Sequence, residues 1–210
     1  MTQRLVFAGD SITDAGRDRS DGRSLGDGYV AMIAEELTAQ GADATVINRG
    51  IAGDRAVDLE RRWDDEVLAE HPDVLTVYVG VNDMWRRFDS DDPTSAEAFE
   101  ATYRRLLRSV RAESLLLVEP YFVPVRDEQR AWLDDLDAKR AVVTRLAGET
   151  GARLVPLHET MTRAAAELGT EAVVPDGVHP TPTGSRIIAE AWLAAAADVS
   201  TIVAGAEAHR

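Results

Sequence analysis

The chain has 210 residues, and its 37 acidic and 23 basic side chains give a formal net charge of −14. This charge disfavours nucleic acid and anionic membrane surfaces as partners, because a negative field repels both. No cysteine is present, which excludes disulfides, thiolate metal sites and a cysteine nucleophile.

The first apolar run, residues 5–8, is followed directly by Gly9, Asp10 and Ser11. A short apolar run that ends at Gly-Asp-Ser predicts a buried strand with a hydroxyl side chain in the turn beyond it. Ligands of open α/β sheets bind at the carboxyl ends of the strands, where Ser11 would be useful as a nucleophile. Serine is also a common helix N-cap, and these residues alone favour neither role.

A helical pattern over residues 29–39 leads to a second apolar run, residues 45–47, and to a loop that contains Gly50 and Gly53. Glycine permits positive φ and a close approach of backbone to a ligand. A backbone N–H of this loop is therefore a candidate hydrogen-bond donor to a substrate.

The third apolar run, residues 74–79, is followed by Gly80, Val81, Asn82 and Asp83. The side-chain NH₂ of Asn82 could donate to a developing oxyanion at the end of this strand. Turn and cap chemistry is the alternative role for an asparagine or aspartate in such a position.

The second half of the chain repeats the alternation of helix and strand. Helical patterns cover residues 95–111, 130–150 and 183–197, and apolar runs cover residues 115–118 and 154–157. The runs are continuous rather than alternating, which is typical of parallel strands buried on both faces. The sequence therefore predicts an α/β fold, a three-layer α/β/α sandwich with a five-stranded parallel sheet. The length suits one domain, and we expect it to span residues 1–210.

A candidate base and its carboxylate partner lie together near the C-terminal end, at Asp176 and His179. A carboxylate three residues before a histidine can fold back to Nδ1 and leave Nε2 free to take a proton from a serine. Of the other three histidines, His209 is next to the last residue, His71 precedes a proline, and His158 has only the adjacent Glu159 as a carboxylate. His179 is therefore the best candidate base.

Together these segments resemble the four sequence blocks of the SGNH (GDSL-type) hydrolases, in the right order and over almost the whole chain. The resemblance is closer still to a bacterial subgroup that includes acetyl xylan esterases. The four blocks are Gly9-Asp10-Ser11, the glycine of the second loop, Gly80-x-Asn82-Asp83 and Asp176-x-x-His179-Pro180.

The resemblance implies the flavodoxin-like SGNH hydrolase fold and a serine esterase that needs no cofactor or metal. Ser11 would be the nucleophile, His179 the general base and then acid, and Asp176 the residue that orients His179. The oxyanion hole would consist of the backbone N–H groups of Ser11 and Gly53 and the side chain of Asn82. Gly53 is preferred over Gly50, which we expect to be a turn residue, because the family's oxyanion glycine precedes a polar residue that opens the next helix.

Further residues are expected to support the site or to form a wall of the substrate-binding region. Pro175 stands where the acetyl xylan esterases carry an aromatic residue, which makes substrate identity harder to transfer. The expected supporting or wall residues are Asp10, Asp14, Trp63, Asp83, Trp85, Arg86 and Tyr121.

The predicted reaction is hydrolysis of short-chain carboxylic esters, with O-acetyl groups on carbohydrate favoured; lysophospholipase or thioesterase activity is the alternative within the family. Two alternatives from other classes are a metal-dependent phosphoesterase and a non-catalytic carbohydrate-binding module. The first would use Asp10, Asp14, Asn82, Asp83, Asp176 and His179 as ligands. The second would use a cleft lined by Trp63, Trp85, Tyr121 and Phe122.

The expected partner is a small-molecule or oligosaccharide ester, and the subgroup makes a homo-oligomer reasonable. No signal peptide is visible and no apolar run approaches the ~20 residues of a membrane span. The chain as given is therefore expected to be cytoplasmic.

Overall fold

Five parallel strands form the central sheet of the structure, a computed structural model that describes residues 2–197. Their order in the sheet is β2-β1-β3-β4-β5. All five predicted strands are confirmed, with ends that move by at most three residues. The strands are β1 (Gln3–Gly9), β2 (Ala44–Gly50), β3 (Val74–Tyr78), β4 (Ser114–Val118) and β5 (Arg153–Val155).

Helices connect the strands, as the alternation in the sequence predicts. The four predicted helices correspond to α2, α5, α6 and α9. Short 3₁₀ and π turns precede β3 and α6. The helices of the described residues are α1 (Ser11–Asp14), α2 (Tyr29–Ala39), α3 (Ala56–Arg61), α4 (Val81–Asp89), α5 (Ala96–Arg108), α6 (Leu133–Thr150), α7 (His158–Leu168), α8 (Thr170–Val173) and α9 (Pro182–Ala196).

Two of the longer helices, α4 and α7, were not predicted. Each begins within three residues of a strand end, so its first turn is hard to separate from the strand in the sequence. Each also buries few apolar side chains: α7 buries only Met161 and Ala165. Both helices have a polar and an apolar face, but so few apolar positions do not by themselves distinguish a helix from the loop that follows a strand.

Helices cover both faces of the sheet, which confirms the three layers. Side chains of a strand alternate between the two faces. Phe7 of β1 packs with α2 and α9, including Trp192, whereas its neighbours Val6 and Ala8 pack with α5 and α6 on the other face.

The chain reverses its direction across the sheet at β1. This strand pairs with β2 on one side and with β3 on the other. In open α/β sheets the connections then leave in opposite directions and open a crevice at the carboxyl ends of the strands. Ser11 follows β1 and lies at this point of the fold.

The predicted extent of the domain, residues 1–210, and the tail after residue 198 fall partly or wholly outside the described residues. Within residues 2–197, none of the helices combines the length and the apolar character needed to cross a membrane.

Candidate active site

Ser11 is the first residue of α1, directly after the tight turn that leaves β1. The side chain of Asp10 accepts a hydrogen bond from the backbone N–H of Ile12 at 3.0 Å and so caps the helix. Gly9 is required before it, because a Cβ there would overlap with Thr13 and with the carbonyl oxygen of Tyr78. The N-cap predicted as an alternative for Ser11 is in fact Asp10, and Ser11 presents its hydroxyl to the crevice.

His179 lies between Ser11 and Asp176. Its Nε2 is 2.9 Å from the hydroxyl oxygen of Ser11, and its Nδ1 is 2.6 Å from Oδ2 of Asp176. The other oxygen of Asp176 accepts the backbone N–H groups of Val178 at 2.9 Å and of His179 at 2.7 Å. This arrangement places a proton on Nδ1 and leaves Nε2 as an acceptor for the serine hydroxyl.

The segment after β4 holds the loop that carries Asp176 and His179. The hydroxyl of Tyr121 donates to the carbonyl oxygen of Val178 at 2.6 Å, and the N–H of Val123 donates to the carbonyl oxygen of Gly177 at 2.9 Å. Gly177 has a φ of 89°, and a Cβ there would overlap with the carbonyl oxygen of Val123. Only glycine fits this close approach.

The two ionisable groups of this pair shift each other's pKa in opposite directions. Partial burial acts to raise the pKa of Asp176, but the hydrogen bonds from the His179 ring and from two backbone N–H groups lower it to about 2. The hydrogen bond to Asp176 raises the pKa of His179, and partial burial only partly offsets it. The carboxylate is thus ionised wherever the imidazole can act as a base.

Three potential hydrogen-bond donors lie in the segments that follow β1, β2 and β3. The backbone N–H groups of Ser11 and Gly53 have no acceptor among residues 2–197. Gly53 has a φ of 89° in the loop between β2 and α3. The side-chain amide of Asn82, in the first turn of α4, donates one hydrogen to the carbonyl oxygen of Asp54 at 3.0 Å, which leaves its second hydrogen available.

Two of the predicted supporting carboxylates bracket the loop that carries Gly53. Asp14 accepts the N–H of Ala52 at 2.9 Å, and Asp83 accepts the N–H of Ala56 at 3.0 Å. The loop is therefore tied to α1 on one side and to α4 on the other.

Burial raises the pKa of both Asp10 and Asp83 to about 7, although one backbone N–H bonded to each acts to lower it. Asp10 is fully buried, and its Oδ2 has no hydrogen-bond partner; the same holds for Oδ1 of Asp83, which is 1% exposed. The residues next to Ser11 and Asn82 in the chain are thus buried carboxyl groups that bind a proton near neutral pH.

The prediction of Gly50 as a turn residue is wrong. It is the last residue of β2, and it has no positive φ. A Cβ there would overlap with the backbone of Thr13 and Asp14, so the glycine allows α1 to pack against the end of β2.

Asn48 is a supporting residue that was not predicted. It is fully buried, and its amide donates to the carbonyl oxygens of Thr13 at 2.6 Å and Leu25 at 2.8 Å. A buried asparagine inside an apolar strand is the signal that could have identified it, because such a side chain must have partners.

Two of the predicted supporting or wall residues, Trp85 and Arg86, lie on α4. Trp85 lies beside His179, with ring centroids 6.1 Å apart. Arg86 forms an ion pair with Asp89 on its own helix.

Trp63 and Tyr121 were predicted as supporting or wall residues; neither forms a wall, and only Tyr121 has a supporting position. Trp63 is buried in the core on the α5 side, where its indole N–H donates to the hydroxyl of Ser109 at 3.1 Å. Tyr121 is fully buried and supports the loop below His179. Because Phe122 is fully buried as well, the four aromatic residues do not form the cleft that the binding-module alternative requires.

The predicted metal-ligand set does not converge either. Within residues 2–197, no three histidine, aspartate or glutamate side chains are placed to hold one ion. Asp14 instead forms an ion pair with Arg19, and the Asp176 carboxylate is occupied by His179 and two backbone N–H groups.

A cavity of about 400 Å³ opens beside Ser11 and His179. Its remaining walls come from the end of α1, the residues before α2 and the entry to α9. These residues are Ile12, Ala15, Gly16, Asp27, Gly28, Pro180, Pro182 and Ser185.

Comparison with known proteins adds three findings. Residues 7–187 match the model of the GDSL-like lipase/acylhydrolase family. The chain is 32% identical over 203 residues to an acetylxylan esterase of Geobacillus stearothermophilus, a match that covers 91% of this chain and 92% of that protein. Among solved structures, an alpha/beta hydrolase enzyme from the metagenome of Lake Arreo, Spain, aligns with a TM-score of 0.87 and 31% identity over 93% of this chain and 95% of its own. The crystal structure of an acetylxylan esterase from Geobacillus stearothermophilus aligns with a TM-score of 0.85 and 32% identity over 92% and 93%.

Proposed function

Because the chain belongs to the GDSL-like lipase/acylhydrolase family, we propose that it hydrolyses short-chain esters, O-acetyl groups on carbohydrate above all, through an acyl-enzyme on Ser11. The family and the acetylxylan esterase relative make it a carboxylic ester hydrolase. The observation that carries the proposal is the unbroken contact from Ser11 through His179 to Asp176.

In the first half of the proposed reaction, Nε2 of His179 takes the hydroxyl proton of Ser11 while the serine oxygen bonds to the acyl carbon. Asp176 stabilises the imidazolium and keeps Nδ1 protonated. The ester C–O bond then breaks as Nε2 returns the proton to the departing alcohol oxygen, and the acyl group remains on Ser11.

The negative charge of the tetrahedral intermediate would be held by the N–H groups of Ser11 and Gly53 and by the free amide hydrogen of Asn82. Donors already fixed in position act without reorganisation during the reaction. The hydrogen bonds of Asp14 and Asp83 to the Gly53 loop support this role, because they restrict its movement.

In the second half, His179 takes a proton from water, and the resulting hydroxide attacks the acyl carbon. The same donors hold the second tetrahedral intermediate. The bond between the acyl carbon and the Ser11 oxygen then breaks as Nε2 returns its proton to that oxygen, which releases the carboxylic acid and restores the serine hydroxyl and the neutral imidazole.

Two observations support an acetylated carbohydrate as the substrate. The relative that is 32% identical is an acetylxylan esterase. The net charge of −14 favours an uncharged alcohol over an anionic one.

The decisive variant is Ser11→Ala, which should reduce ester hydrolysis to background while leaving the thermal unfolding of the protein unchanged. Ser20→Ala, an exposed serine outside the site, is the matched control and should retain full activity. A fluorophosphonate probe should label the wild type at Ser11 and leave Ser11→Ala unlabelled. Hydrolysis that persists in Ser11→Ala and is abolished by a chelator would instead support a metal-dependent reaction.

Substrate class is tested by kcat/KM across acyl lengths from acetyl to octanoyl, together with acetylated xylo-oligosaccharides. We expect the acetyl esters and the oligosaccharides to be the best substrates. If kcat/KM is instead highest for the octanoyl ester, the lysophospholipase or thioesterase type is favoured.

A further inference from the structure

The cavity beside Ser11 contains a charged side chain that neither the proposed mechanism nor the fold uses. Asp27 lies at its wall, in the turn before α2. Its side chain has no hydrogen bond or ion pair with any other part of residues 2–197, and the residue is exposed. A free carboxylate with both oxygens open is a strong acceptor for a ligand that enters the cavity.

The backbone around Asp27 is fixed although its side chain is free. The N–H of Asp27 donates to the carbonyl oxygen of Ala15 at 2.9 Å, which ties the turn to the end of α1. Gly16 lies beside it: a Cβ built there would be in ordinary contact, 3.5 Å, with Oδ1 of Asp27. The Asp27 carboxylate thus adjoins another residue of the cavity wall.

The cavity is on the side of the departing alcohol. Nε2 of His179 must protonate the alcohol oxygen as the ester bond breaks, so the alcohol lies next to this ring. Both His179 and Ser11 form walls of the cavity that contains Asp27. A group attached to the alcohol oxygen can therefore extend into the space in front of the Asp27 carboxylate.

We propose that this cavity is the binding site for the alcohol part of the substrate, and that Asp27 selects an uncharged polyol by accepting hydrogen bonds from its hydroxyl groups. This inference rests on the proposed esterase function and adds a specificity-determining residue to it. Two neighbouring hydroxyls can donate to the two oxygens of one carboxylate, whereas an alcohol without further hydroxyls leaves them to water.

The competing explanation for Asp27 is structural. It precedes Gly28, the N-cap of α2, which makes no side-chain cap hydrogen bond. A negative charge near a helix N-terminus stabilises the helix. Such a role would affect all substrates equally and would lower the melting temperature of an Asp27 variant.

The test compares two acetyl esters whose alcohols have the same three-carbon skeleton, 1-monoacetylglycerol and propyl acetate. Only the first has a vicinal diol. We expect the wild type to prefer the diol ester in kcat/KM, and Asp27→Leu to lower the ratio of the two values about tenfold, the size of one hydrogen bond to a charged group. Asp27→Asn keeps one acceptor and should lower the ratio less. Propyl acetate has no further hydroxyl to donate to position 27, so both variants should lower its kcat/KM less than that of the diol ester.

Glu35→Gln is the matched control, because it removes one exposed carboxylate of α2 that does not line the cavity. It should leave the ratio unchanged. A diol preference that survives in Asp27→Leu, or an equal fall for both esters, would overturn the inference and leave the esterase proposal intact. If the wild type hydrolyses neither ester and Ser11 does not react with a fluorophosphonate, the proposed function itself fails.

Discussion

The two halves of the proposed site are built in different ways. The proton-transfer half, Asp176 and His179 beside the Ser11 hydroxyl, is about half-exposed, and its two ionisable partners belong to one loop, which Tyr121 and Val123 in turn hold. The oxyanion half, the N–H groups of Ser11 and Gly53 with the Asn82 amide, depends on contacts between segments far apart in the chain. Its supporting carboxylates are buried.

This difference follows from what each half must do. A base that takes and returns a proton must reach the substrate, and its charge changes during each turnover, so exposure and a local partner suit it. Donors that only stabilise charge must keep their positions, and buried contacts to neighbouring elements restrict their movement. We therefore expect the two halves to respond differently to substitution and to pH.

The largest effect is expected in the proton-transfer half. In Asp176→Asn the amide can no longer stabilise the imidazolium or fix the tautomer of His179, and kcat at neutral pH should fall by ~10³–10⁴-fold. Asp43→Asn, an exposed carboxylate remote from the crevice, controls for the change in charge. A fall of less than tenfold would mean that Asp176 does not orient the base.

The pH profile of the same variant gives a second measurement. Because Asp176 raises the pKa of His179, the wild-type kcat/KM should fall on the acid side with a midpoint above the ordinary histidine value of about 6.5. In Asp176→Asn this midpoint should move to lower pH, because the stabilising carboxylate is lost. An unchanged midpoint would contradict the assignment of His179 as the base.

A smaller loss is expected in the oxyanion half, because two donors remain when one is removed. Asn82→Ala should lower kcat by ~10²–10³-fold with little change in KM. Asn82→Asp keeps the size of the side chain, and its negative charge should lower kcat further. If Asn82→Ala and Asp176→Asn lower kcat equally, the two halves do not differ in the way proposed. An effect of Asn82→Ala confined to KM would assign Asn82 to substrate positioning.

The same contrast explains which parts of the site could be predicted from the sequence. Asp176 and His179 are three residues apart, so their spacing alone indicates a local contact. The hydrogen bonds from Ala52 to Asp14 and from Ala56 to Asp83 span 38 and 27 residues. Spacing contains no information about such pairs, and they become visible only when the sheet brings the strand ends together.

The sequence also does not show which aromatic residues are buried in the core and which lie at the site. Trp63 and Trp85 are the same residue type, and each is next to an arginine in the sequence. One is buried against α5 and the other lies beside His179. The sheet itself was predictable because each strand contains a short apolar run. Its order β2-β1-β3-β4-β5, which places Ser11 at the reversal of the chain, comes from the structure alone.

The smallest predicted effect is on folding stability. As the pH rises, one carboxyl group of the proton-transfer half should stabilise the fold and one next to Ser11 should destabilise it. The pKa of Asp176 is lowered to about 2 in the folded protein, so its contribution to stability is present above pH ~4 and is lost as the pH falls toward 2. The pKa of Asp10, behind the nucleophile, is raised to about 7 by burial. Its contribution is therefore complete below pH ~4 and is lost as the pH rises through 7.

Asp10→Asn tests this sign, because asparagine caps a helix as well as aspartate does and needs no ionisation. At pH 8 the variant should be more stable than the wild type, by on the order of 1–3 kcal/mol of unfolding free energy. At pH 4 the wild-type carboxyl is protonated in the fold, so the advantage should vanish. The measurement is urea unfolding of both proteins at pH 4, 6 and 8. If Asp10→Asn is more stable than the wild type by the same amount at all three pH values, the stabilisation does not come from removing a buried charge. Burial of the ionised Asp10 carboxylate would then not destabilise the folded protein.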